Sequence, residues 1–298
     1  DIKKFKPKTN ENYRMPAMPA GGEEGILKGM YLLKQGGTHK HRVQLMGCGT
    51  ILREVLAAAE SVRGMYAAAQ ESLGAPGTAP ADALLREAFT AIASLRDPRH
   101  AGIGQAPKFP QAMALDFCLR HWARTGDASG LAMAHSAFVA MARGGIYDQV
   151  GGGFARYSTD ARWLVPHFEK MLYDNALFLD LLSTVWRSTP SDLFAARVRE
   201  TVAWLLRDMR TETGAFAAAF DADSEGDEGR FYVWTESEID SILGTASSAF
   251  KAAYDITAGG NWEHRVILNR LQRPKFGTPA EERSLADSRA QLLARSEE

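Results

Sequence analysis

The densest group of reactive side chains in the 298-residue chain lies between Gly151 and Asn175, in GGGFARYSTDARWLVPHFEKMLYDN. His167, Glu169, Asp160 and Asp174 can exchange protons there, and an imidazole such as His167 suits acid–base work near neutral pH. Pro166 favours a helix start, and a helix from this point carries His167, Lys170, Met171 and Asp174 along one face. His167 and Glu169 then sit near a helix N-terminus, where free backbone N–H groups polarise a hydroxyl or hold an anion. Phe154, Tyr157, Trp163, Phe168 and Tyr173 flank these groups, and Arg156 and Asn175 add polar contacts. Aromatic surfaces interspersed with carboxylates and amides suit sugar rings, which offer apolar faces and hydroxyl edges. A structural reading stands beside this one: Asp160, Arg162 and Glu169 as ion pairs, and the aromatics as core.

A second cluster, AAFDADSEGDEGRFYVWT, crowds Asp221, Asp223, Glu225, Asp227 and Glu228 into one loop. Calcium binding would need glycine and a closing glutamate at positions this loop does not supply, so no metal is expected. A carboxylate pair for acid–base work is the other reading, with Asp221 and Asp223 nearest the apolar run AFAAAF. A solvated acidic turn is the third. In GQAPKFP, two prolines present Lys108 rigidly, as a loop brace or as a substrate contact. His39 and His41 lack partner ligands, and GCGT is neither a dinucleotide fingerprint nor a phosphate loop. His121 and Trp122 read as packing on a helix.

These groups need elements to hold them. Helices are predicted at 81–96, 111–125, 129–143, 168–187, 191–209, 236–243, 245–254 and 280–295. The loops between them are glycine-rich, and RFYVWT alternates like a short strand. Helix pairs joined by such loops predict stacked helical hairpins rather than a simple bundle. Ahead of them, residues 1–20 read as a mobile arm, 21–73 as a short α/β-like segment and 74–81 as a linker. Within that segment, a helix at 21–35, the strand RVQLMGCGT and a helix from Ile51 are expected.

Lys+Arg number 35 against 36 Asp+Glu, a net charge of −1, which excludes a generic nucleic-acid binder. No apolar run is long enough for a membrane span, and the N-terminal stretch has no apolar core of a secretory signal. Cys48 and Cys118 form no paired motif, so a reducing cytoplasm is expected.

Residues from about 61 to 298 resemble the helical region of the thioredoxin-domain-containing, spermatogenesis-associated protein family. The stretches that carry the resemblance are APKFPQAMALDFCLRHWARTGD, ARGGIYDQVGGGFARYSTDARWLVPHFEKMLYDNA, DADSEGDEGRFYVWTESEI and GGNWEHRVILNR. It implies a mainly α fold built as an (α/α) six-hairpin toroid, similar to sugar 2-epimerases and several glycoside hydrolases. The thioredoxin-like domain that precedes the toroid in that family has no counterpart here, and AGIG stands where the family reads GGFG, with Ile103 replacing an aromatic residue. About eight helices follow the linker, short of the roughly twelve that six hairpins need. Residues 82–298 are therefore expected to form an incomplete toroid, open to self-association through exposed inner-helix faces.

Residues from about 10 to 60 resemble a segment of the homodimeric pyruvate dehydrogenase E1 component, on NENYRMPAMPAGGEEGILKGMYLLK and RVQLMGCGTILREVLAAAE. The segments that bind thiamine diphosphate and magnesium are absent, so no cofactor is expected. The toroid resemblance implies a carbohydrate-related protein, epimerase-like or glycosidase-like, with a saccharide as its ligand. His167 would be the acid/base, with Glu169, Asp160 and Asp174 as partners and Asp221 and Asp223 as a second acidic wall. Tyr157, Trp163 and Tyr173 would stack on the sugar. The alternatives are a non-catalytic binding scaffold and an inactive fragment of a thiamine-dependent dehydrogenase.

Overall fold

A computed structural model of the chain describes residues 56–68, 81–224, 227–273 and 275–296. The expected arm at 1–20, helix at 21–35, strand at 42–50 and linker residues 74–80 lie outside the described residues, as do His39, His41 and Cys48. The chain divides into two units, Asp1–Ala79 and Pro80–Glu298. In the first, the described residues form a helix over 56–68.

The second unit is mainly helical. Its helices are α1 (Asp82–Ser94), α2 (Ala112–Thr125), α3 (Ala128–Arg143), α4 (Leu172–Ser188), α5 (Asp192–Trp204), α6 (Glu236–Leu243), α7 (Ser247–Ala253) and α8 (Pro279–Ser296). Their ends follow from local chemistry. Helix α2 stops at Gly126, whose φ of 76° is costly for any residue with a Cβ. Asp127 then caps α3, accepting a hydrogen bond from the Ser129 N–H at 2.9 Å. Thr235 and Glu238 form a reciprocal capping box at the start of α6. Helix α5 runs on into a π-helical turn, Leu205–Met209.

The largest core cluster joins α1 to α5 and the long loop between α3 and α4. At its centre Phe138, Phe178, Phe154 and Tyr147 form a chain of edge-to-face rings with centroids 6.3, 5.2 and 4.8 Å apart. A second cluster packs α6, α7 and α8 together, around Ile239, Phe250 and Leu292. No described helix is long and apolar enough to cross a membrane.

Strands occur as two-residue antiparallel pairs in the loops: β1 (Tyr157–Ser158) with β2 (Pro166–His167), and β3 (Lys170–Met171) with β4 (Ala219–Phe220). Likewise β5 (Asp223–Ser224) pairs with β6 (Asp227–Glu228), and β7 (Val233–Trp234) with β8 (Val266–Ile267). Backbone contact between loops is tight at Gly145, where an added Cβ would lie 2.1 Å from the Leu164 carbonyl oxygen and 2.4 Å from Ile267 Cγ2.

One predicted element changes type. The helix expected at 168–187 begins only at Leu172, and residues 166–171 are extended. Their burial alternates: Pro166, Phe168 and Lys170 face inward, while His167, Glu169 and Met171 are half-buried. That period of two belongs to a strand with one wet face. Backbone pairing with Tyr157–Ser158 on one side and Ala219–Phe220 on the other satisfies the polar groups that a helix would otherwise have satisfied.

Candidate functional site

The outward face of this extended segment carries the candidate site. Strand pairing places Tyr157 opposite His167, and their rings stack with centroids 4.9 Å apart at 20°. Phe109 stacks on Tyr157 from the other side, at 4.6 Å and 27°. It is held there by a backbone bridge, Lys108 N–H to Ser158 O at 2.6 Å and Ser158 N–H to Lys108 O at 2.9 Å. The loop GQAPKFP, with a cis bond between Ala106 and Pro107, thus contributes the first ring of a three-ring stack ending in an imidazole.

Carboxylates approach both edges of that imidazole. His167 Nδ1 lies 2.8 Å from Glu228 Oε1, and Nε2 lies 4.0 Å from Glu169 Oε2. Glu169 also accepts a hydrogen bond from Arg156 Nη1 at 3.1 Å. Glu228 is delivered by β6, whose register sets it opposite Asp223. The next residue, Gly229, has φ of +73°, and a Cβ there would lie 2.3 Å from the ring of Phe168. Only glycine can seat this hairpin so close to the residue that follows His167.

Asp174, in the first turn of α4, completes the group. Burial pushes its carboxyl from 3.8 up to about 6, with Arg156 opposing and Glu169 adding to the rise. Its Oδ2 is buried and takes no hydrogen bond among the described residues. A helix N-terminus favours a negative charge, so burial outweighs the dipole here. The raised value makes Asp174 bind its proton more tightly in the folded chain than in the unfolded one. Stability from this residue therefore falls as pH rises from about 3.8 through about 6. Asp174→Asn is expected to stabilise the fold by about 1–3 kcal/mol at pH 7 and to differ little from wild type at pH 4. Urea unfolding at the two pH values checks this; equal effects at both would contradict it.

Several residues predicted to touch a ligand are instead structural. Trp163 is fully buried, with Nε1 donating to the His100 carbonyl at 3.0 Å, so it offers no face to a sugar. Lys108 is fully buried, donates to Asp97 Oδ2 at 2.6 Å and to Ala161 O at 3.1 Å, and lies 5.0 Å from the Trp163 ring. Burial works against the charge of Asp97, yet the bonds from Lys108 and from the His100 and Arg99 amides hold its carboxyl at about 2. Lys108 is the brace, not the contact. Asn175 is also fully buried, accepting from the Phe154 N–H at 2.7 Å and donating to the Phe154 and Met171 carbonyls.

Asp160 is committed too. Its oxygens accept the backbone N–H groups of Arg162, Leu164 and Val165 at 2.6, 3.3 and 2.6 Å, folding the turn between β1 and β2. Asp221 and Asp223 are exposed rather than near burial, and Asp221 Oδ1 accepts the Asp223 N–H at 3.2 Å. The acidic loop does reach the site, but through Glu228, which was expected only as one acid among five. Tyr173 is half-exposed, and it raises the pKa of Arg156 after the larger effect of the Glu169 hydrogen bond.

The structure therefore joins His167, Glu169, Asp174, Arg156 and Tyr157 with Phe109 and Glu228. A cavity of about 30 Å³, room for about one water, is lined by Asp148, Lys170, Phe168 and Tyr232 among others. None of the six predicted acid–base residues lines it, and the His167 side chain is 29% exposed.

Comparisons with known proteins cover different shares of the chain. No family model matches it. Human Spermatogenesis-associated protein 20 is 35% identical over 185 residues, which cover 55% of this chain and 24% of that protein. The chain thus spans about a quarter of the length of this curated relative. The Pyruvate dehydrogenase E1 component of Pseudomonas aeruginosa is 62% identical over 55 residues, 18% of this chain and 6% of that one. Among solved structures, a sugar epimerase from a ruminal bacterium overlaps 56% of this chain and 48% of its own, with a TM-score of 0.40 and 17% identity.

Proposed function

We propose that the second unit is part of a carbohydrate-active (α/α) toroid, and that its His167 group moves protons on a saccharide. One observation carries the reading: an imidazole stacked on Tyr157, between Glu228 and a Glu169 that also acts on the Asp174 carboxyl, raised to about 6. A base and a proton-bearing acid with values near working pH are what epimerisation next to a carbonyl requires. His167 Nε2 takes the proton from the carbon, and the protonated fraction of Asp174, the minority at pH 7 and the majority below about pH 6, returns one, so the sugar inverts with no net proton change. The exposed rings of Phe109 and Tyr173 supply apolar surface for the sugar face. The buried free thiol of Cys118 suits a reducing compartment, so the reading places the chain in the cytoplasm.

A binding role without turnover is favoured by a different observation. His167 and Glu228 keep 29% and 51% of their side chains exposed, so water has access to the imidazole, as suits binding better than proton transfer from carbon. The dehydrogenase-fragment reading draws nothing from this site, whose residues all lie in the second unit.

Incubation with a panel of aldoses and aryl glycosides in D2O, followed by proton NMR, separates these readings. Deuterium entering the carbon next to the carbonyl, with a new epimer, supports the proposal. Release of the aryl alcohol would make the chain a hydrolase instead. A thermal shift with saccharide but no turnover would leave a binding scaffold, and no response to any saccharide would overturn the carbohydrate reading.

A further inference from the structure

Glu228 sits in an acidic loop 61 residues away from His167 in sequence, yet makes the shortest polar contact of the imidazole. We propose that Glu228 is a positioning residue that fixes the tautomer of His167: its carboxylate accepts the Nδ1–H and leaves the Nε2 lone pair free to take a proton from the ligand. This rests on the reading of His167 as the base of the site.

The chemistry of the contact is one-sided. An ionised carboxylate only accepts, so at 2.8 Å a neutral ring must carry its proton on Nδ1. Free histidine in water prefers the opposite tautomer, so the protein has to impose this one. On the other edge, the 4.0 Å between Nε2 and Glu169 is too long for a direct hydrogen bond. A hydroxyl or an acidic C–H of a ligand can therefore reach Nε2. The same Glu169 oxygen, Oε2, is already engaged by the Arg156 guanidinium at 3.1 Å.

The geometry is held from several directions. Tyr157 stacks on the ring and fixes its plane, and the β1–β2 register fixes its backbone. Glu228 is set by the β5–β6 register and by Gly229 seated on Phe168. The hairpin and the imidazole are therefore locked together through adjacent residues on each side. Such an orienting partner, as opposed to a second reacting group, is the expected companion of a histidine base.

The test is a long-range proton–nitrogen correlation spectrum of the 15N-labelled full chain at pH 8. His167 is assigned by the signal missing from His167→Asn. The Nδ1–H pattern is expected in the wild type, reversing to Nε2–H in Glu228→Gln, whose amide can donate to Nδ1, and in Glu228→Ala. A wild-type Nε2–H pattern overturns the proposal, as does an imidazolium with both nitrogens protonated, or an unchanged pattern in both variants. Glu228 is half-exposed, so the variants should fold, and the wild-type spectrum decides by itself if they do not. Failure of the underlying reading shows separately: an Nδ1–H pattern together with undiminished turnover in His167→Asn leaves the role of Glu228 standing and removes His167 as base.

Discussion

Turnover of a saccharide found in the D2O screen is expected to fall by about 10²- to 10⁴-fold in His167→Asn, the usual contribution of a general base. Asparagine keeps a polar side chain next to Glu228 but has no group that can take and release a proton. His167 presents its imidazole on the outward face, with 29% of the side chain exposed, so its loss creates no core cavity. Folding should be little affected. The loss should therefore appear in kcat, with KM changing far less, because the proton is taken only on the way to the transition state. Steady-state kinetics at pH 7 check it, beside a thermal melt of each protein. Equal kcat in the two proteins would remove His167 from the chemistry.

The inward face of the same segment carries the largest effect on stability. Lys170 is 3% exposed, and its ammonium donates to Asp148 Oδ2 at 2.7 Å and to the Gly152 carbonyl at 2.8 Å. It also lies 5.0 Å from the Trp204 ring and 4.8 Å from that of Tyr232. Burial lowers its pKa, and the Asp148 charge pulls the other way. Asp148 in turn accepts the N–H groups of Val150 and Gly151, both at 2.9 Å, so this pair organises the glycine-rich loop after α3.

Lys170→Met fills the space but leaves the Asp148 carboxylate nearly buried without its cation. Breaking a buried pair on one side costs about 3–5 kcal/mol. For a domain of this size that lowers the melting midpoint by roughly 6–20 °C. Urea unfolding gives the free energy directly. Adding Asp148→Asn should restore part of the loss, since it removes the stranded charge. A cost below about 1 kcal/mol would mean that water reaches Asp148 and screens it, contrary to its 14% side-chain exposure.

Helices of ordinary length were legible in the sequence because their periodicity spans several turns. The predicted 236–243 and the observed Glu236–Leu243 coincide, and α2, α3 and α8 agree with their predicted ranges to within about a residue at either end. Six residues of strand carry too little pattern to compete with a nearby helix start, and Pro166 supports either reading. The alternation in PHFEKM was nevertheless present, and it separates His167 and Glu169 from Phe168 and Lys170.

The residues of the site were legible in kind but not in partnership. His167, Glu169 and Asp174 were identified by chemistry and local density. Glu228 could not be singled out among five acids, because what distinguishes it is a strand register and a glycine seated on Phe168. Phe109 follows Lys108, whose charge suits a contact as well as a brace, and nothing in GQAPKFP signals the stack on Tyr157. Trp163, Asn175 and Asp160 are structural for one shared reason. Each satisfies or seals backbone in a long loop that has no helix of its own to do so.

The alternating burial of Pro166 to Met171 has a consequence for how such a protein can change over evolutionary time. Burial falls on one parity of the strand and the candidate reactive groups on the other. Exchanges at His167 and Glu169 explore new chemistries at nearly constant thermodynamic cost, while those at Phe168 and Lys170 are purged as folding lesions whatever they would do to a ligand. A variant library confined to the odd-numbered positions would sample function on a scaffold of fixed robustness.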